Sequence, residues 1–101
     1  MNISITARKF KAHQTLKNHI EDEVKSLIKF NDDILNADVI LSYHNAKDSL
    51  KISEIILQVP GQTLKASKES DDFAKSVSAA VEKLGRQLVK LKTKKISRVK
   101  W

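Results

Sequence analysis

The sequence has no cysteine, one proline (Pro60) and two glycines (Gly61 and Gly85) among its 101 residues. Without cysteine there is no disulfide framework, no thiolate zinc site, no iron–sulfur cluster and no cysteine nucleophile, and the expected setting is the reducing cytoplasm. So little Gly and Pro, beside 41% hydrophobic and 31% charged residues, marks a chain that folds rather than a low-complexity or disordered one. The N-terminal stretch lacks the apolar core of a signal peptide, and no run approaches the ~20 apolar residues of a membrane span, so neither secretion nor a membrane partner is expected. At 11.4 kDa the chain suits one core. The expectation is a single domain over 1–95 and a frayed basic tail over 96–101.

Acids are missing from one region in particular. The net charge of +7 comes from 19 Lys and Arg against 12 Asp and Glu. Residues 1–82 nearly balance, whereas residues 83–101 carry Lys83, Arg86, Lys90, Lys92, Lys94, Lys95, Arg98 and Lys100 with no acid. A block of one sign repels itself, a cost that mixed charges would avoid, and it points to an anionic partner such as nucleic acid, a lipid surface or an acidic protein.

Apolar periodicity organises the remainder. Ile3, Ile5 and Ala7 alternate with polar residues over 2–7, predicting a strand. Leu16, Ile20, Val24, Leu27 and Ile28 recur at helical spacing, predicting a helix over 14–30. Leu35, Ala37, Val39, Leu41 and Tyr43 then alternate as the buried face of a second strand. The third strand ends at Val59 and changes phase: Leu50 and Ile52 have one parity, Ile55, Leu57 and Val59 the other, which predicts a bulge or a late start near Ser53 and Glu54. Pro60-Gly61 predicts a hairpin into a fourth strand with Leu64 and Ala66 inward. Ser70-Asp71-Asp72 supplies capping groups for a second helix, whose apolar row is Phe73, Val77, Ala80, Val81, Leu84, Leu88 and Leu91, with Gly85 a place for close packing.

The order is β-α-β-β-β-α. A helical crossover makes the first two strands parallel, and the later hairpins are antiparallel. The expected fold is therefore α+β, a four-stranded mixed sheet with both helices on one face, resembling a double-stranded-RNA-binding domain. The other face, with Ser4, Thr6, Ser42, His44, Gln58, Thr63, Lys65 and Ser67 and with Ile40 and Ile56 as apolar members, stays wet. It lacks the row of aromatics on which an RNA-recognition sheet stacks bases.

On the second helix, Lys83, Arg86, Lys90 and Lys94 fall in one stripe away from the apolar row, spanning about 16 Å, a spacing that can follow phosphates. Lys17, Lys25 and Lys29 of the first helix and Arg8, Lys9 and Lys11 of the first loop are further cations, expected to converge with the stripe on one side. A structured RNA suits this better than DNA sequence recognition. His13, His19 and His44 fall on separate elements at spacings unsuited to a metal site. Asp32-Asp33 and Asp71-Asp72 read as turn and cap residues. With no glycine-rich phosphate loop and no nucleophile elbow, the sequence offers no catalytic constellation and no cofactor site, and a non-enzymatic role is expected. Insertion of the second helix into a membrane would compete with its need for the core.

The stretch Leu64-Lys65-Ala66-Ser67, then Asp72-Phe73, Val77 and Lys83-Leu84-Gly85-Arg86-Gln87-Leu88-Val89-Lys90-Leu91-Lys92, together with the opening Asn2-Ile3-Ser4-Ile5-Thr6, resembles the bacterial ribosome hibernation promoting factor and YfiA family, short form, also labelled ribosome-associated inhibitor and sigma-54 modulation protein. The resemblance spans almost the whole chain. It implies a β-α-β-β-β-α fold and a stress or stationary-phase factor. Such a factor binds the small ribosomal subunit and its rRNA over the tRNA and mRNA path, keeps the ribosome inactive, and is a monomer when free. By that match Lys83, Arg86, Lys90, Lys92 and Lys94 would contact rRNA, with Lys25, Lys29 and Arg8 as weaker members of the set. Three departures stand out: Ala74 occupies the place of a usual tyrosine, His13 that of a Thr capping the first helix, and the chain stops at Trp101 without the extra domain of long members, so pairing of ribosomes is not implied. The alternative is a generic structured-RNA or acidic-protein adaptor, including one that modulates transcription.

Overall fold

A computed structural model of the chain describes residues 1–43 and 50–99, with side chains through Leu91. Its elements are β1 (Asn2–Ala7), α1 (Gln14–Lys25) continued by a 3-10 turn (Ser26–Lys29), β2 (Asn36–Tyr43), β3 (Lys51–Val59), β4 (Gln62–Ser70) and α2 (Phe73–Val99). The sheet order is β1-β2-β3-β4, with β1 parallel to β2 and the other two pairs antiparallel. Both helices pack on one face, as the element order requires. The helical backbone of α2 continues past 95, and at 1.5 Å per residue the helix is about 40 Å long.

Alternation places the core. Ala37, Val39 and Leu41 of β2, Ile55, Leu57 and Val59 of β3 and Ala66 of β4 turn inward and meet Ile20, Val24 and Leu27 from α1 and its 3-10 turn. From α2 come Phe73, Val77, Ala80, Val81, Leu84 and Leu88, all buried, with Leu91 half-buried beside them. Each large side chain here contributes about 1.5–3 kcal/mol of transfer free energy, and Leu84→Ala would cost about 2–5 kcal/mol with the cavity it leaves.

The opposite face keeps Ser4, Thr6, Gln58, Thr63, Lys65 and Ser67 exposed, with Ser42, Ile40 and Ile56 half-buried; His44 lies outside the described residues. Pro60 and Gly61 form the two-residue β3–β4 connection. Gly61 has φ +85°, the value the second turn residue needs and that a side chain disfavours.

Local departures from the sequence expectation have identifiable causes. β3 has no bulge: its pairing is unbroken from Lys51 to Gln58 with β2 and from Lys51 to Val59 with β4, and its inward parity is kept by placing Ser53 in the core at 0% exposure. The first helix does not run unbroken to 30. The Ser26 hydroxyl donates to the Glu23 carbonyl at 2.6 Å, competing with the helical backbone pattern, and the chain tightens into a 3-10 turn. Leu35 is 52% exposed rather than inward, because it precedes β2 and its backbone is committed to two neighbours, donating to Gln58 O and accepting from Asn2 N. Ile34 is buried in its place. His13 precedes α1 in extended conformation without a side-chain cap bond.

At the other helix start the capping expectation is specific. Asp72 Oδ1 accepts from Ala74 N at 3.3 Å, while Asp71 pairs with Lys75 one turn on. In the turn after the first helix the working side chain is Asn31, whose Oδ1 accepts from Asp33 N at 2.8 Å.

Candidate nucleic-acid interface

The topology sets which cations meet. β1 runs from the Pro60-Gly61 end of the sheet to the far end, and α1 returns antiparallel to it. β4 likewise runs away from that turn, and α2 returns. The two helices therefore point the same way, and the C-terminal half of α2 lies at the end where α1 gives way to its 3-10 turn. Lys25 and Lys29, the last residues of those two segments, are exposed there, where the helix C-terminus favours positive charge.

On α2, Lys83, Arg86 and Lys90 are all exposed on the side away from the buried row. They span about 10 Å along the axis. Lys92 and Lys94 follow on the same helical backbone, and their side chains lie outside the described residues.

Gly85 is what lets the two segments close. A Cβ built there would sit 3.1 Å from Phe30 Cε2, so the bare backbone admits the Phe30 ring against α2. The Lys29 ammonium lies 5.2 Å from the centroid of that ring, within cation–π range. Gly85 therefore seats Phe30, and Phe30 positions Lys29 on the same groove as Arg86 and Lys90. This groove between the helices, about 610 Å³, has Phe30, Val81, Gly85 and Val89 along it, with Ser26 and Ser78. Lys25 and Lys83 do not line it.

Two carboxylates also line the groove, and sequence reading did not place them there. Glu82 pairs with Arg86 across one helical turn, both side chains about two-thirds exposed. Glu23 accepts from the Ser78 hydroxyl at 2.7 Å and lies 3.7 Å from His19 Nε2. The i,i+4 spacing of Glu82 and Arg86 was the available signal. Glu23 has the same spacing from His19, but the Ser78 bond that ties it to α2 gave no signal, because the two residues are 55 apart. The groove thus holds three cations and two acids, and its positive balance rests on Lys29 and Lys90.

Arg8, Lys9 and Lys11 do not join this group. Arg8 N donates to Leu41 O at the far end of the sheet, and Phe10 stacks on Phe73 at the start of α2. Arg86 lies about 20 Å along the helix from Phe73. The convergence of loop and stripe expected from sequence is corrected by strand direction, since β1 carries the loop away from the helix C-termini.

Gln87, within the motif block, faces the sheet. Its Nε2 donates to Lys65 O at 3.1 Å, tying α2 to the exposed edge of β4. Among the described residues no group of three or more His, Asp or Glu could hold a metal ion, and no helix is long and apolar enough to cross a membrane.

Known proteins share the fold. The chain is 29% identical to a ribosomal subunit interface protein from Coxiella burnetii, with TM-score 0.84 over 92% of this chain and 99% of that one. The Protein Y N-terminal domain of Thermus thermophilus shares the fold, with TM-score 0.80 at 24% identity over 90% of this chain and 99% of that one. A ribosome hibernation promoting factor of Azotobacter vinelandii is 28% identical over 97% of this chain and 89% of its own length. Ribosome-associated factor Y of Haemophilus influenzae is 30% identical over the same shares. A ribosome hibernation promotion factor of Bacillus subtilis is 30% identical over 93% of this chain, which spans 50% of that protein. The Sigma 54 modulation protein / S30EA ribosomal protein family model matches residues 3–96, from the second residue of β1 to within three residues of the end of α2 and including every cation of the groove, and the chain belongs to that family.

Proposed function

We propose that this protein is a non-enzymatic ribosome hibernation factor. It seats Lys83, Arg86, Lys90 and Lys29 on rRNA of the small ribosomal subunit, in the path of tRNA and mRNA. The observation that carries the reading is the joining of two helical segments into one cationic surface by the Gly85–Phe30–Lys29 contact. The names of its relatives, hibernation promoting factors and a ribosome-associated factor, support the ribosome as partner.

The mechanism is occlusion. Exposed cations neutralise rRNA phosphates and release their counterions, and the folded domain then fills space that translation ligands must enter. No bond is made or broken. By the family resemblance Lys25, beside the 3-10 turn, and Lys92 and Lys94, further along the helical backbone of α2, are additional members of the rRNA-contacting set. The protein acts as a monomer in the bacterial cytoplasm, without cofactor.

The test is co-sedimentation of the full chain with ribosomes, alongside a Lys83→Glu, Arg86→Glu, Lys90→Glu variant with wild-type far-UV circular dichroism. Loss of association in the variant is the expected result. Undiminished association would remove the α2 stripe from the mechanism and favour an adaptor that binds its partner elsewhere.

A further inference from the structure

The loop between β1 and α1 forms a second cationic surface at the opposite end of the domain. Arg8, Lys9 and Lys11 are all exposed in it. Lys51, the first residue of β3, lies across the end of the sheet with its ammonium 5.8 Å from the Tyr43 ring centroid. Among the described residues none of these four cations is in an ion pair, in contrast to Arg86 at the other end. Of the described acids on neighbouring strands and on α2, none is turned toward these cations, and Glu54 has the parity of the open sheet face. Asp71 is committed to Lys75, Asp72 to the backbone of α2, and Glu69 has the parity of the open sheet face.

This loop is built to hold its shape. Lys9 has φ +64°, the only positive φ at a non-glycine residue among those described. A lysine there bears a steric cost that glycine would avoid, and such a cost persists only where the surroundings fix it. They do: Phe10, next in the chain, stacks on Phe73 at 5.0 Å and meets Tyr43 edge-on at 4.9 Å. The left-handed residue reverses the chain so that Phe10 points into this aromatic cluster while Arg8, Lys9 and Lys11 remain in solvent. Tyr43, 42% exposed, keeps its rim on the same surface.

We infer that Arg8, Lys9, Lys11 and Lys51 form a second RNA-backbone contact, separate from the helix groove and about 20 Å from it, so that the domain grips its RNA at two ends. The inference rests on the RNA-binding reading above. Phosphate is the chemistry favoured: among the described residues the four cations have no ion-pair partner, Arg8, Lys9 and Lys11 are exposed on a fixed loop, and Lys51 lies half-buried beside them over Tyr43. Spacing of this kind allows two phosphate rows to be held at once, which a single helix face cannot do.

The experiment is equilibrium binding of the full chain to purified bacterial small ribosomal subunits across a salt series. It compares wild type, a loop variant (Arg8→Gln, Lys9→Gln, Lys11→Gln), a stripe variant (Lys83→Gln, Arg86→Gln, Lys90→Gln) and Lys9→Gly. The loop variant should bind more weakly, with the slope of log K against log salt reduced by about two to three. Lys9→Gly keeps the loop conformation and relieves its strain, so it should melt at or above the wild-type temperature and still bind more weakly. Wild-type affinity and slope in the loop variant, with the stripe variant impaired, would overturn the second contact and leave the proposed function standing. Both variants binding like wild type would overturn both. Weaker binding by the loop variant with an unchanged salt slope would assign the loop to a protein contact and also overturn the RNA proposal.

Discussion

The hydroxyls of Ser53 on β3 and Ser76 on α2 meet at 2.6 Å inside the core, both at 0% exposure. Ser76 Oγ also donates to Phe73 O at 3.1 Å, so its proton is used there and Ser53 is the donor to Ser76. The pair fixes α2 over the sheet at one register. It does so with groups that would be costly to leave unpaired.

That directionality makes the two truncations unequal. Ser53→Ala removes a donor and leaves Ser76 satisfied by Phe73 O, at a cost of about 0.5–1.5 kcal/mol. Ser76→Ala leaves the Ser53 hydroxyl buried without a partner, at about 1–3 kcal/mol. The double variant should lose less than the sum of the two. Urea unfolding of all four proteins checks this, and strict additivity would contradict the coupling.

Gly85 should tolerate one carbon and no more. Gly85→Ala gains about 1 kcal/mol of helix propensity, which offsets the 3.1 Å approach to a ring that borders open groove and can give slightly. Its stability should stay within about 1 kcal/mol of wild type. Gly85→Val drives a branched side chain into Phe30 and should cost about 1–3 kcal/mol. It should also weaken ribosome association by displacing Lys29 from Arg86 and Lys90. Thermal melts and co-sedimentation separate the two effects.

Charge changes around the groove should have opposite signs. Glu82→Gln frees Arg86 from its carboxylate and should tighten ribosome binding a few-fold at low salt, an advantage that fades as salt screens it. Lys29→Glu, on the groove, should impair binding more than Lys25→Glu, just outside it. Equal losses would show that the groove does not organise the contact.

One carboxylate links stability to acid. The Ser70 hydroxyl, bonded at 3.1 Å, and then the Lys75 ammonium hold the Asp71 carboxyl below its ordinary value of 3.8. A depressed folded value means stabilisation that is full above pH 3.8 and lost as the pH falls through the lower, folded value. Asp71→Asn should therefore be slightly less stable than wild type at neutral pH, with the gap closing on acidification below that value. A gap that persists in strong acid would contradict the assignment.

The periodic parts of this fold are legible in its sequence because burial is periodic. Ile3, Ile5 and Ala7, the inward row of β2 from Ala37 to Leu41, and the apolar row of α2 all occupy the faces their spacing dictates. The parallel pairing of β1 and β2 follows from a crossover helix. Ser53 was illegible for the opposite reason. A polar residue in the buried phase looks like a break in the strand until its partner, 23 residues on and in another element, is known. The 3-10 turn depends on where a single serine hydroxyl points. At the candidate site, the exposure of Lys83, Arg86 and Lys90 could be read from the helical wheel. The meeting of Lys29 with Arg86 and Lys90 could not, because it depends on the fit of Phe30 against Gly85.

The central claim is that the cationic helix surface occupies the tRNA and mRNA path of the small subunit. The most direct measurement is sedimentation of the protein with isolated small subunits at two salt concentrations, with and without initiator tRNA and mRNA. The account predicts co-migration that weakens as roughly the fourth to fifth power of salt concentration and that tRNA and mRNA displace. Co-migration unaffected by saturating tRNA and mRNA, or none at all by a folded sample, would contradict it.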